Sequence, residues 1–276
     1  FNATDRYYTQ GIRLELGHSF VKKSPVSNAL LSFKNKAFQQ YGVAIEQDCF
    51  TPPSISRDTI QTGERPFSGL LYLSHFQNST QSAKHQKIIT QFDIGIIGPC
   101  AQCKEMQMGI HRWLANITPR GWQFQLANDL ILNYDFQFEK GLWLRKHLEL
   151  LGYTNIRIGT LYDDLAIGAA ARIGFFKPYF KPHKQVNGNK FYIHGVVSGN
   201  IKSVGYDATL QGGLFTRNNI YSLPASQIER IIASGAVGII ITYQKVNIEF
   251  TRMFISPDYK NGLSHGWGHI KIGLDF

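Results

Sequence analysis

The chain has 276 residues, a length that suits one large domain or two small ones. Length alone therefore does not distinguish a barrel from a two-domain enzyme. Charged residues make up only 17% and there are 26 glycines, a composition typical of a sheet-rich protein and not of a disordered one. The net charge of +10 indicates an anionic partner, but the basic residues form no continuous basic helix and no zinc-finger spacing. We therefore expect no nucleic-acid partner.

The chain contains no apolar stretch that suits a membrane-spanning helix. The longest one, at 235–243, is far shorter than the roughly 18 to 20 residues that such a helix requires. No signal peptide is visible, and the chain begins inside a predicted strand-to-turn segment, so we expect residues upstream of Phe1. Because no repeat, low-complexity tract or linker interrupts the sequence, we predict a single domain over residues 1–276.

Eleven segments show the two-residue period of a β-strand. In chain order they are 8–20, 41–50, 67–77, 88–97, 130–139, 142–158, 165–176, 191–202, 228–243, 246–254 and 268–276. Bacterial single-chain membrane barrels close with an even number of antiparallel strands. We therefore predict about twelve strands, the first of which lies upstream of Phe1.

The two faces of these segments differ sharply, most clearly in 130–139. Apolar residues such as Leu130 and Leu132 alternate with polar residues such as Asn133 and Asp135. A soluble β-sandwich would bury the apolar face, whereas a membrane barrel would bury the polar face around a wet lumen. Polar faces this rich in Asn, Asp, Gln and Glu favour an antiparallel transmembrane β-barrel, and the terminal amphipathic strand ending in Phe276 resembles the assembly signal of outer-membrane barrels.

One segment departs from the strand pattern, because 104–116 has the period of a short helix with Met106, Ile110 and Trp113 on one side. We place this helix on a loop of the barrel. Gln107 and His111 are four residues apart and project from nearly the same helix face. A neutral histidine can take a proton from water, and a neighbouring amide can hold the ring or the water. The alternative for His111 is a surface or structural histidine.

The three cysteines do not form a recognisable redox or zinc motif. Cys100 and Cys103 are spaced as in a redox pair, but no strand-helix-strand unit surrounds them and no second pair completes a zinc site. The spacing predicts a loop disulfide between them in an oxidising compartment, or two unpaired thiols, and leaves Cys49 alone. The segment 262–266 matches the nucleophile-elbow pattern, but it joins two predicted strands, so we interpret it as a turn.

Several motifs stand in a fixed order along the chain and are followed by Gln107, His111-Arg112 and Gly121-Trp122. These motifs are Thr4-Asp5-Arg6-Tyr7-Tyr8-Thr9-Gln10-Gly11, Gln47-Asp48-Cys49-Phe50-Thr51-Pro52, Gly63-Glu64-Arg65-Pro66-Phe67-Ser68-Gly69 and Asp93-Ile94-Gly95-Ile96-Ile97-Gly98-Pro99. In their order and spacing they resemble the outer-membrane lipid A 3′-O-deacylase family. The similarity runs from the first residues to the terminal phenylalanine.

The resemblance implies a twelve-stranded barrel in the bacterial outer membrane that removes the ester-linked 3′ acyloxyacyl group from lipid A with calcium. It implies that His111 is the base that activates water, while a calcium ion stabilises the developing oxyanion. Gln107 and Thr9 match supporting active-site positions of the family, and Arg57 matches a basic residue that would bind a lipid A phosphate. We expect a membrane-embedded monomer whose partner is lipopolysaccharide.

The chain also departs from the family pattern. The Asn-Asp pair that is expected to organise calcium falls before Phe1, and an acidic residue that can follow the helix is Ile117 here, so the metal ligands stay unknown. Three alternatives remain open. The first is a catalytically silent barrel that binds lipopolysaccharide, and the second is a porin. The third is an outer-membrane phospholipase, which would need a serine within hydrogen-bond reach of a histidine on the outer wall.

Overall fold

The computed structural model describes residues 6–181, 191–216 and 219–275, and eleven strands form one antiparallel sheet in which each strand pairs with the next along the chain. This meander curls into a nearly closed barrel, and the predicted barrel and its eleven predicted strands are confirmed. The strands are β1 (Tyr7–Gly17), β2 (Phe38–Thr51), β3 (Ser68–Gln81), β4 (Gln86–Ile97), β5 (Asp129–Leu144), β6 (Leu148–Gly159), β7 (Tyr162–Phe175), β8 (Phe191–Asp207), β9 (Ile231–Tyr243), β10 (Val246–Ile255) and β11 (His265–Leu274).

The faces of the strands are arranged as in a membrane barrel. On β5 the apolar Leu130 is 42% exposed on the outside of the sheet, whereas Asn133 on the other face is buried. Side chains on the inner face reach across the interior, since the Arg13 guanidinium on β1 donates to Gln91 on β4 over 3.1 Å. We call the outside of the sheet, where the apolar side chains are exposed, the outer wall.

Among the residues that the structure describes, two α-helices lie between the strands, α1 (Cys103–Trp113) and the one-turn α2 (Ala208–Gln211). Within the described ranges, neither these helices nor any other is long and apolar enough to cross a membrane.

Two predicted boundaries are wrong for local reasons. The predicted strand 8–20 ends at Gly17, because the His18 side chain accepts a hydrogen bond from the Phe20 amide and starts a 3-10 turn over Ser19–Lys23. The predicted strand 142–158 contains a hairpin, since β5 extends to Leu144 and β6 begins at Leu148. The turn at 145–147 has no glycine or proline to mark it in the sequence.

The edge strands β1 and β11 approach each other without pairing in the described part of the chain. The rings of Tyr8 and Trp267 lie 5.0 Å apart, and the Lys271 ammonium lies 4.0 Å from the Glu15 carboxylate. The twelfth strand that the sequence predicts is not among the described residues and stays a prediction.

The connections divide into two sets, one at each end of the barrel. The helix end carries 52–67, 98–128, 160–161, 208–216 with 219–230, and 256–264, and the opposite end carries 18–37, 82–85, 145–147, 176–181 and 244–245. In outer-membrane barrels the long loops face the outside of the cell and the short turns face the periplasm. Three of the five connections at the opposite end have two to four residues, so we place the helix end outside the cell.

A buried polar cluster joins three connections at the helix end. The Arg65 guanidinium pairs with the Asp258 carboxylate and donates to the Thr209 hydroxyl over 3.0 Å. The Tyr259 hydroxyl donates to Glu64 over 2.5 Å and lies 2.9 Å from the Tyr7 hydroxyl. The connections 52–67, 208–216 and 256–264 are therefore held together above the lumen.

Candidate active site on the outer wall

Helix α1 is fastened to the outer wall at its first residue. Cys103 forms a disulfide with Cys49, which shares a face of β2 with the outward-facing Ile45. The Gln47 amide on the same face donates to the Ala101 carbonyl over 2.6 Å. Gly69 on β3 permits this approach, because a Cβ there would lie 2.9 Å from the Cys103 sulfur.

The predicted pairing of the cysteines is wrong. Cys100 is an exposed free thiol, and Cys103 pairs with Cys49 across a sequence separation of 54 residues. The physical reason is that Cys103 is the first residue of the face of α1 that packs against β2, whereas Cys100 precedes the helix in an exposed position. The disulfide therefore anchors the helix instead of closing a small loop.

The buried face of α1 is its polar face. Cys103, Gln107 and His111 follow one another at intervals of four residues and are buried, whereas Trp113 is 84% exposed. The predicted apolar side of the helix therefore points away from the barrel, as expected for a helix at a membrane interface. The helix ends at Trp113 and not at residue 116, because Ala115 adopts a left-handed conformation with φ of 51°.

A backbone contact fixes the orientation of the His111 ring. Its Nδ1 lies 2.6 Å from the Ile117 carbonyl oxygen, which can only accept a hydrogen bond. In the neutral ring Nδ1 therefore carries the hydrogen, and Nε2 carries the lone pair. The ring is 5% exposed, so it can act only on a group that enters between α1 and the wall.

The side-chain amide of Gln107 is held in place by the indole of Trp122. The Trp122 Nε1 donates to the Gln107 carbonyl oxygen over 2.7 Å, which orients the amide, and the Trp122 ring lies 4.9 Å from the Phe67 ring. The Gln107 Nε2 is buried and has no hydrogen-bond partner among the described residues. A buried donor without a partner is costly for a folded protein and marks a position where another acceptor fits.

Thr9 lies on the wall near the same anchor. Its hydroxyl is 2.7 Å from the hydroxyl of Thr51, which is fully buried and two residues beyond Cys49 on the same face of β2. A bulge between Tyr8 and Gln10 turns Thr9 out of the regular strand pairing.

Arg57 lies in the connection 52–67, and its side chain is exposed. Its backbone carbonyl would lie 3.1 Å from a Cβ at Gly121, the residue before Trp122. In the same pair of segments, the Arg120 amide donates to the Ile55 carbonyl over 2.6 Å. Arg57 therefore borders the site through the backbone of its loop.

The structure thus gathers Gln107 and His111 on one helix face and ties Thr9 to the wall residues beside the disulfide. No role was predicted for Cys49, Thr51 or Trp122, although all three stand in the motifs quoted above. The described residues contain no group of three or more His, Cys, Asp or Glu that could hold a metal ion.

The anchoring disulfide predicts a protease-sensitivity result. Reduction, or the Cys49→Ser substitution, is expected to free the start of α1 and to speed tryptic cleavage after Lys104 and Arg112, read by mass spectrometry of the folded protein. The Cys100→Ser variant is the control and should cleave at the rate of the unsubstituted protein. Faster cleavage in the Cys100→Ser variant alone would contradict the assigned pairing.

Comparison with known proteins agrees with this fold. The family model described as "Outer membrane protein LpxR" matches residues 1–276. Among solved structures, LpxR from Salmonella typhimurium is similar with a TM-score of 0.76 and 20% sequence identity, over 99% of this chain and 90% of that one. No curated protein sequence matches the chain significantly.

Proposed function

Because the chain belongs to the LpxR family of outer membrane proteins, we propose that it is a lipid A 3′-O-deacylase that hydrolyses an ester of lipopolysaccharide. The observation that carries the proposal is the position of His111 and Gln107, which are buried between α1 and the outer wall. The exposed side of that helix carries the apolar side chains of Ile110 and Trp113 beside the charged Lys104, Glu105 and Arg112. A substrate held in the outer leaflet would therefore approach the histidine from the lipid side.

The proposed reaction needs no serine nucleophile. The Nε2 of His111 takes a proton from a water molecule, and the resulting hydroxide attacks the carbonyl carbon of the ester. The protonated ring then returns the proton to the departing sugar oxygen, so that a carboxylic acid and a free hydroxyl are formed. The Ile117 carbonyl favours this cycle because it accepts from Nδ1 and stabilises the charged ring.

We propose that the Gln107 amide donates to the oxyanion that develops on the ester carbonyl. Its Nε2 is the buried donor without a partner, and Trp122 keeps that nitrogen from exchanging places with the oxygen. Loss of one such donor lowers kcat by about 10²- to 10³-fold. We therefore expect Gln107→Glu, which keeps the size but loses the donor, to reduce kcat by that order and to change KM little.

A matched variant tests whether Trp122 orients the Gln107 amide. Trp122→Phe keeps the ring packing but frees the amide to turn, and it should lower kcat less than Gln107→Glu does. A kcat for Gln107→Glu within about twofold of the unsubstituted value would remove Gln107 from the proposed mechanism.

Thr9 and Arg57 have supporting roles in the proposal. The Thr9 hydroxyl, held by Thr51, would orient the water or the ester on the wall side of the site. The exposed Arg57 guanidinium would form a bidentate contact with a lipid A phosphate. An effect of Arg57 on substrate binding would appear mainly in KM.

We propose a calcium requirement on the family resemblance alone, and we assign no ligand to it. The Asn-Asp pair that the resemblance connects with calcium has no counterpart among the described residues of the site. The expected result is that a chelator abolishes release of fatty acid by the protein and that excess calcium, but not magnesium, restores it. Equal activity with chelator and with calcium would remove the metal from the proposal.

A serine-histidine pair does occur on the outer wall, and it is the observation that favours the phospholipase alternative. The Ser27 hydroxyl lies 2.8 Å from Nε2 of His75. The same hydroxyl also donates to the Val21 carbonyl over 3.1 Å, and in the described ranges no side chain is seen to orient the other ring nitrogen. We interpret the pair as a tie between the connection 18–37 and β3.

The test of the function is release of fatty acid from lipopolysaccharide in mixed micelles, measured by gas chromatography. The proposal predicts release by the folded protein and by its Ser27→Ala variant, and no release of acyl chains from phospholipid. Phospholipid hydrolysis that is lost in Ser27→Ala would favour the phospholipase. No release from either lipid would favour the silent barrel.

A further inference from the structure

The positive charge of the chain is concentrated at the end of the barrel that does not carry the candidate site. The connections 18–37, 82–85, 145–147, 176–181 and 244–245 contain ten Lys and Arg residues and no Asp or Glu. We call these ten residues the basic rim. At the helix end, the connections without residues 217–218 contain seven basic and five acidic residues. Most of the net positive charge of the connections is therefore at the end opposite the candidate site.

The basic rim is exposed and lies beside apolar surface. Nine of its ten residues are exposed, the exception being the half-buried Lys177. Large apolar side chains next to it also face outward, including Phe20, Trp143 and Tyr243, each more than half exposed. Aromatic rings next to basic residues are the usual composition of a membrane-water interface.

The connection 18–37 is held flat against the outer wall. The Tyr134 hydroxyl accepts from the Leu31 amide over 2.9 Å, and the Leu31 carbonyl accepts from the Thr90 hydroxyl over 3.1 Å. Further along, the Phe33 amide donates to the Ser79 hydroxyl over 3.1 Å. Thr90 and Ser79 are polar positions on the lipid-facing side, and both are fully buried under this segment.

This arrangement fixes part of the basic rim beside the outer wall. Lys22 and Lys23 follow Phe20 within the 3-10 turn Ser19–Lys23, and all three side chains are exposed. Four of the ten rim residues belong to this wall-bound connection. They are therefore held beside the outer wall at the opposite end of the barrel.

We propose that the basic rim binds the headgroups of anionic phospholipids in the membrane leaflet that surrounds the opposite end of the barrel. A leaflet with net negative charge attracts basic residues at its surface, and the attraction falls off within a Debye length. The exposed aromatic side chains place the rim at that surface, so a lipid headgroup fits the observations better than a soluble anion does.

The test measures which lipids stay next to the folded protein. The protein is reconstituted in phosphatidylcholine bilayers that contain spin-labelled phosphatidylglycerol or spin-labelled phosphatidylcholine, and the motionally restricted fraction is compared. We expect about a two- to fivefold preference for phosphatidylglycerol. The preference should vanish near 1 M salt, where the Debye length is about 3 Å.

Two variants that remove the same number of charges test which end of the barrel causes the lipid preference. The rim variant carries Lys22→Gln, Lys23→Gln, Arg145→Gln and Lys146→Gln, and its preference should fall to about one. The control variant removes the same charge at the helix end through Lys104→Gln, Arg112→Gln, Arg120→Gln and Lys260→Gln, and it should keep the preference of the unsubstituted protein.

Three outcomes would overturn the proposal. They are no preference in the unsubstituted protein, an equal loss in both variants, and loss in the control variant alone. If the protein shows no lipid preference but binds tripolyphosphate and the rim variant does not, the basic rim binds a soluble polyanion instead. Heat-dependent migration on gels establishes that each variant is folded.

Discussion

Replacing His111 with alanine is expected to lower kcat for lipid A deacylation by about 10²- to 10⁴-fold, which is the usual contribution of a general base. The buried ring is the only proposed proton acceptor of the mechanism, and its Nδ1 is held by the Ile117 carbonyl 2.6 Å away. Because the change removes proton transfer and not substrate binding, KM should change little. Initial rates over a range of lipopolysaccharide concentrations separate the two parameters.

A loss of activity caused by unfolding would look similar, so the variant needs a folding control. Helix α1 is fastened to β2 by the disulfide between Cys49 and Cys103. The His111→Ala variant should therefore keep the tryptic resistance of the helix. A kcat within tenfold of the unsubstituted value, with α1 still resistant, would exclude His111 as the base.

Replacing Arg65 with methionine is expected to destabilise the barrel by about 3 to 5 kcal/mol, because it leaves the Asp258 carboxylate buried and unpaired. Both side chains are almost fully buried, and the guanidinium also lies over the Phe50 ring, 4.8 Å from its centre. Urea titration of the folded protein in lipid vesicles, followed by the shift in gel migration, measures the free energy of unfolding.

Two further variants make that prediction specific. Arg120→Met removes an exposed charge at the same end and should change the free energy by less than about 0.5 kcal/mol. Arg65→Met combined with Asp258→Leu replaces both charges and should recover most of the lost stability, since a buried pair can often be exchanged for apolar residues. A double variant no more stable than Arg65→Met would contradict this account of the pair.

The strands were predictable because alternate residues of a membrane-barrel strand face the lipid and the lumen and differ in polarity. On β5, for example, Leu130 and Asn133 occupy opposite environments and differ in polarity accordingly. The hairpin between β5 and β6 was missed because 145–147 contains no glycine, proline, asparagine or aspartate to mark a turn. Polar residues at the outward positions Ser79 and Thr90 could have indicated that another segment covers the wall there, but this was not predicted.

The orientation of α1 could not be predicted with the rule for water-soluble helices. That rule buries Ile110 and Trp113, whereas at a membrane surface the apolar side faces the lipid and the polar side faces the protein. Gln107 and His111 were nevertheless selected correctly as neighbours on one face, because the four-residue spacing does not depend on the solvent.

Contacts between distant segments of the chain could not be predicted from the sequence. Nothing in the spacing of three cysteines selects Cys49 over Cys100 as the partner of Cys103, because the choice depends on where α1 meets β2. Arg65 and Asp258 are 193 residues apart and meet only when the barrel closes. The concentration of basic residues at one end likewise became visible only once the connections were assigned to the two ends.

Deacylation by this protein is tested by the mass spectrum of lipid A after incubation with the folded protein in the presence of calcium, beside the His111→Ala variant. We expect loss of the mass of the 3′ acyloxyacyl group with the unsubstituted protein, and intact lipid A with the variant. Intact lipid A in both samples, or the same loss in both, would contradict this expectation.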